Sequence, residues 1–151
     1  MATMGTYAGL MDTLGSDDIA VWHACKAIGT TVIQRISADL TSATGLSGAD
    51  WGVISRLEDL GGGRLGQQEL TLSMGLTKGA MSNQLSRMVA RALVQREKES
   101  GSVTVVLTDH GRSLLQQARP IHARAVRTHL LDRLSPDERD TLVRIAALIS
   151  A

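Results

Sequence analysis

Apolar residues recur every three or four positions through the first third of the chain, at Ile19, Trp22, Cys25, Ile28 or Gly29, Val32, Ile33, Ile36 and Leu40. This spacing lays one stripe along a helix roughly 40 Å long. Ser16 reads as its N-cap, with Asp17 and Asp18 in the first turn where the helix dipole favours acids, and the TSATG run ending at Gly45 closes it. A subunit of 16.1 kDa is too small to cover so long a stripe alone, so a partner chain is expected.

The pattern then shortens. Ser47, with Asp50 three residues on, predicts a capping box for a second helix through about Leu60, stopped by Gly61, Gly62 and Gly63. Residues 66–73 predict a short helix with Leu70 and Leu72 inward, and Gly75 breaks it. Thr77 caps a helix to about Arg91 with Ala80, Met81, Leu85, Met88 and Val89 as its inner face. Two short helices around a tight turn form a helix-turn-helix pattern. From Val94 the period drops to two: Val94 to Lys98, a Glu-Ser-Gly-Ser turn, then Val103 to Leu107, a β-hairpin placed as a wing.

Helical spacing returns after Thr108 and Asp109, through Leu114, Leu115, Ala118, Ile121, His122, Ala125, Val126, His129 and Leu130, running past Pro120, a potential kink. Ser135 and Pro136 open a last helix with Leu142, Val143, Ile145, Ala146, Leu148 and Ile149 inward. Residues 1–15 are small and polar without sustained period and read as an arm. The expected architecture is therefore mainly α, an α+β winged helix: one domain over 16–151, with dimerisation helices at 16–45 and 108–151. Between them lies a smaller lobe at 46–107, holding the helix-turn-helix at 66–91 and the wing at 94–107.

Composition narrows the function. A length of 151 residues fits one domain, and 43% hydrophobic with 21% charged residues is an ordinary globular balance. No apolar run approaches the roughly 18 residues of a membrane span, and the N-terminus has neither a basic nor an apolar signal region, so a cytoplasmic location is expected. One cysteine, Cys25, allows no internal disulfide or multi-cysteine zinc site. Aromatics at 2% exclude a base-stacking platform for single strands. The charge is uneven: residues 1–63 carry three basic against seven acidic residues, whereas 64–112 carry seven basic against four acidic. A basic segment inside a near-neutral chain is either a phosphate-facing surface or solvated charge.

With its apolar side buried, the fourth helix presents Thr77, Lys78, Gly79, Ser82, Asn83, Ser86 and Arg87, and Gln84, Arg96 and Lys98 complete the candidate DNA contacts. Asn or Gln can pair with adenine, Arg or Lys with guanine, and a capped helix N-terminus suits a phosphate. Catalysis is not expected, because no nucleophile-base-orienter order, phosphate-cradling glycine loop or carboxylate pair is present. No metal or cofactor is expected either: His122 and His129 share a face, and His23 lies near Cys25, but tight ligand spacing is missing.

Three segments, LTKGAMSNQLSRMVARALVQR (76–96), VVLTDHGRSLL (105–115) and LSPDERDTL (134–142), together resemble the MarR-type winged-helix transcription regulators, and the order of elements matches over nearly the whole chain after the arm. The resemblance implies a homodimer on a pseudo-palindromic duplex, acting as a repressor relieved by a small anionic or aromatic ligand. It also places an effector pocket between dimerisation helices and DNA-binding lobe, where Trp22, Lys26, Trp51, Arg56 and His122 are the matching groups. Two departures stand out. The wing turn is only EKESGS (97–102), with Lys98 as its sole cation in place of the family's Asp-Xaa-Arg element, and Ala92 occupies a position where glycine is usual. The alternatives are an interaction module that has lost DNA binding, motivated by the short wing, and a thiol switch through Cys25. Against the thiol switch, Cys25 sits on the apolar stripe and the only tyrosine, Tyr7, lies in the arm, so Cys25 is expected to pack as a small hydrophobe.

Overall fold

The computed structural model describes residues 13–151. Of the expected arm, residues 1–12 lie outside the described residues, and 13–15 are exposed and non-helical. The chain runs α1 (Ser16–Thr44), α2 (Gly48–Gly61), β1 (Arg64–Gly66), α3 (Gln67–Ser73), α4 (Lys78–Ala90), β2 (Val94–Glu99), β3 (Ser102–Leu107), α5 (Asp109–His129), a 3-10 turn (Leu131–Arg133) and α6 (Pro136–Ser150). The strands form one antiparallel sheet in the order β1-β3-β2, with Val105 opposite Leu65 on one side and Arg96 on the other. This is the expected winged helix.

Local chemistry explains most boundaries. The Ser47 hydroxyl accepts from the Asp50 amide at 3.0 Å while the Ser47 amide donates to the Asp50 carboxylate at 2.9 Å, and Ser135 with Glu138 repeats the reciprocal pair. Thr77 and Thr108 cap α4 and α5 through the amides of Ala80 and Gly111. α1 differs: its N-cap is Gly15, without a side-chain bond, and Ser16 is its first helical residue. The hairpin turns on Ser100 and Gly101 at φ 47° and 82°, the two positive angles that match the twist of the flanking strands. α5 continues through Pro120.

At the end of α4, Leu93 N donates to Met88 O and Ala92 N to Val89 O, a Schellman closure that puts Ala92 at φ 56°. Its Cβ makes this left-handed conformation costly, whereas glycine adopts it freely at the expense of greater freedom in the unfolded chain. Ala92→Gly should therefore stabilise the fold by about 0.5–1 kcal/mol, read by urea unfolding at fixed protein concentration. A destabilised variant would show that the closure carries no strain.

The core gathers Val53, Ile54 and Leu57 of α2, Met81, Leu85 and Met88 of α4, Val94, Val105 and Leu107 of the sheet, and Leu115, Ala118 and Ala125 of α5. α1 adds only Ile36 and Leu40. Several inward expectations fail. Leu72 is 75% exposed, and Ala80 and Val89 are exposed, because α3 and α4 bury only the narrow face that meets the sheet and α2. Residues 13–31 are exposed throughout, Cys25 included, since the first half of α1 reaches past the residues it packs on. The reading of Cys25 as a buried hydrophobe thus does not hold within one chain. α6 likewise buries none of its residues.

Candidate nucleic-acid interface

The seat of α4 is its apolar side: Met81, Leu85 and Met88 are fully buried, which turns Thr77, Lys78, Gly79, Asn83, Ser86 and Arg87 to solvent and leaves Ser82 half-buried. The spacing is that of an amphipathic helix, and its polar side is rich in donors to base edges and phosphates. The helix N-terminus also lies at the surface, capped by Thr77.

Gln84, expected among the outward contacts, is instead buried at 5% exposure. Its Nε2 donates to Asp50 Oδ1 at 2.8 Å, and its Oε1 accepts from Arg87 Nη2 at 2.7 Å. Asp50 is itself 2% exposed and also receives Arg91 Nη1 at 2.7 Å, while Arg91 Nη2 donates to Gly45 O at 3.2 Å. Burial pushes the Asp50 carboxyl up, but the hydrogen bonds and charge of Arg91 with the bonds from Ser47 outweigh it and hold the group below its ordinary value. The start of α2 is thereby tied to the middle and the C-terminal end of the exposed helix. Sequence reasoning saw Asp50 only as a cap, because its bonds to Gln84 and Arg91 span 34 and 41 residues.

Arg96 also departs from expectation. From β2 its Nη2 donates to Ser82 O at 3.0 Å and Ser86 Oγ at 2.7 Å, and its Nε is buried without a partner. It clips the wing to α4, since the short hairpin lies close enough for a long side chain to fold back. Lys98 is exposed, between Glu97 and Glu99, with Glu97 paired to Arg64 at 2.6 Å.

The five expected effector groups form two pairs and one neighbour. Trp51 of α2 stacks on His122 of α5, ring centroids 4.5 Å apart at 25°, and burial lowers the His122 pKa, which favours the neutral ring. Arg56, five residues on from Trp51, folds its Nη1 back one turn onto Gly52 O at 3.1 Å. On the exposed half of α1, Lys26 Nζ lies 5.2 Å from the Trp22 ring centroid. A separate groove of about 410 Å³, walled by Ile28, Val32, Leu130, Leu134, Leu142 and Ile145, runs between α1 and the α5–α6 corner, with the edge of His129 in it. His129 Nε2 meets Asp39 Oδ2 at 2.8 Å. Among the described residues there is no cluster of three metal-ligating side chains, and no helix is long and apolar enough to cross a membrane.

Residues 44–102, from the end of α1 to the wing turn, match the family model of the MarR family. The motif resemblance thus holds over the segment that contains α4 and β2. The fold is similar to that of AbsC, a MarR family transcriptional regulator from Streptomyces coelicolor, at 24% identity and TM-score 0.84, covering 91% of this chain and 95% of that one. Sco3205 of the same organism, a MarR family transcriptional regulator solved in complex with DNA, gives 24% identity, TM-score 0.84 and coverage of 91% and 89%. BpsR of Bordetella bronchiseptica, whose DNA binding is regulated by 6-hydroxynicotinic acid, gives 18% identity, TM-score 0.77 and coverage of 91% and 98%. No curated protein matches the sequence.

Proposed function

We propose that this protein, which carries a MarR family segment at residues 44–102 on the winged-helix fold of solved MarR regulators, is a sequence-specific DNA-binding transcriptional regulator. The observation that carries this reading is the outward face of α4, where Lys78, Asn83 and Arg87 stand exposed on a helix seated by three fully buried side chains. A convex helix with a donor-rich face is built to enter a major groove. Sco3205, solved in complex with DNA, and BpsR, whose DNA binding is regulated by a small molecule, support the same reading.

The regulator acts in the cytoplasm as a homodimer on a pseudo-palindromic operator, through the apolar faces that α1 and α6 leave uncovered. Residues 16–45 and 108–151 form the dimerising part and 46–107 the DNA-binding lobe. In the dimer the two recognition helices are spaced by roughly 34 Å, one turn of duplex. It represses, and a small anionic or aromatic ligand relieves repression. The stacked Trp51 and His122 supply aromatic surface for such a ligand and Arg56 of the same helix α2 a positive charge, and Trp51 directly follows Asp50, the anchor of α4.

Selection of bound sequences from random duplex DNA tests the function, with an enriched palindrome expected. On the selected duplex, Asn83→Ala or Arg87→Ala should each cost about 1–3 kcal/mol and relax preference at particular base pairs. Lys98→Ala should weaken all duplexes alike and lower the slope of log affinity against log salt by about one unit per subunit. Anisotropy titrations at several salt concentrations read both effects. If Lys98→Ala altered preference and the α4 variants did not, the wing would be the reader. If no sequence were enriched, the interaction-module reading, favoured by the short wing whose one turn-side cation, Lys98, lies between Glu97 and Glu99, would replace this one.

A further inference from the structure

We propose that Gln84, held by Asp50, is a positioning residue that aims the exposed Arg87 guanidinium at the base edge it reads; the inference rests on the DNA-binding reading above. Seating α4 does not require a polar residue at position 84. Met81, Leu85 and Met88 already fill the core side, and an apolar side chain of similar length could pack beside them without desolvating an amide. Gln84 nevertheless sits at 5% exposure with both ends of its amide engaged.

The direction of the chain of bonds follows from chemistry. An ionised carboxylate only accepts, so Asp50 Oδ1 at 2.8 Å requires the NH₂ end of Gln84. The carbonyl end is then left for a donor, and Arg87 Nη2, one turn on and only a donor, meets it at 2.7 Å. A flipped amide would set oxygen against carboxylate and NH₂ against guanidinium. Asp50 cannot swing to follow Gln84, because the Ser47 amide and Arg91 Nη1 hold its other oxygen at 2.9 and 2.7 Å. Arg87 is therefore referred to the N-terminus of α2 through two successive side chains. One hydrogen of Nη2 is used, and the remaining donors of the planar fork stay available to solvent or a base. A long flexible cation gives up considerable rotamer freedom to make a bidentate contact, and fixing its fork beforehand removes part of that loss.

Gln84→Met keeps length and bulk while removing both bonds. Wild type, Gln84→Met, Arg87→Ala and the double variant are titrated on the selected duplex and on its single-base variants. Gln84→Met is expected to lose about tenfold preference at the base pairs that Arg87→Ala identifies, with little further loss in the double variant and less than about twofold change on scrambled duplex. In the free protein, ¹⁵N relaxation should show the Arg87 Nε–H as ordered in wild type and mobile in Gln84→Met. If the variant does not fold, the wild-type relaxation decides: an Arg87 head as rigid as the α4 backbone supports the proposal, and a freely rotating one overturns it. Full preference retained by Gln84→Met, or effects of the two substitutions that simply add, also overturns it. Wild type that enriches no sequence overturns both this proposal and the function on which it rests. Failure of the positioning alone looks different: a site is enriched and Gln84→Met reads it unchanged.

Discussion

Ile145→Glu combined with Leu148→Glu in α6 is expected to convert a dimer into a monomer and to lower affinity for a palindromic duplex by at least about a hundredfold. Within one chain α6 buries nothing: Val143 is 70% exposed, Leu148 and Ile149 74% each, and Ile145, on the wall of the apolar groove, 45%. α1 adds Val21 at 71%, Trp22 at 53%, Ile28 at 48% and Ile33 at 63%. Fully burying one such side chain contributes about 1.5–3 kcal/mol, so a face of this many is a strong drive to association and a liability in a lone chain. A carboxylate at the centre of the face reverses the sign, because an unpaired buried charge costs far more than the lost methyl groups returned. DNA affinity follows, since a dimer closes its second half-site contact intramolecularly, an advantage of about 10²–10⁴. Sedimentation velocity and anisotropy on one palindromic duplex read both effects. Wild type that remains a folded monomer at micromolar concentration would sink the proposed dimer, and a dimeric double variant with unchanged affinity would place the interface elsewhere.

Gly111→Ala is expected to destabilise the fold by about 3 kcal/mol, enough to lower Tm by roughly 10 °C in a chain of this size. Gly111 is fully enclosed in the first turn of α5, where a Cβ would collide with the Leu93 carbonyl and come within 2.8 Å of Leu107 Cδ1. The carbonyl belongs to backbone held from several sides. Thr108 N donates to Leu93 O at 3.2 Å, and the Thr108 hydroxyl donates to Ala92 O at 2.5 Å with Leu93 O next at 3.0 Å. Relief of the clash therefore means moving the end of α4 and the base of the wing away from α5. Gly79→Ala is the contrast, since a Cβ there meets nothing within 4 Å and stability should change by less than about 1 kcal/mol. Calorimetry of both variants checks the pair, and equal Tm values would show that the approach of Leu93 to α5 imposes no constraint. The close approach also gives a physical reason for glycine in the VVLTDHGRSLL segment.

The sequence by itself determined what depends on neighbours a few residues apart. Ser47 with Asp50 and Ser135 with Glu138 form the two capping boxes, Thr77 and Thr108 cap their helices, and Gly45 and Gly62 end theirs in the left-handed conformation. The change of period at Val94 marked the hairpin, since alternation and helical spacing bury different sets of residues. The order of these elements was enough for the winged helix and for α4 as a helix with an exposed polar face. What only the tertiary structure decided is which side of each element found a partner. Leu72 and Leu70 both looked inward, yet one is 75% exposed and the other fully buried, because a short helix meets the core along a single line. Gln84 and Arg96 looked like DNA contacts on type and position, yet one is locked between Asp50 and Arg87 and the other bonds back to Ser82 and Ser86. Hydrogen bonds that close over 10 to 41 residues leave no periodic trace in a sequence, so polar residues held by the fold look the same there as polar residues offered to a ligand.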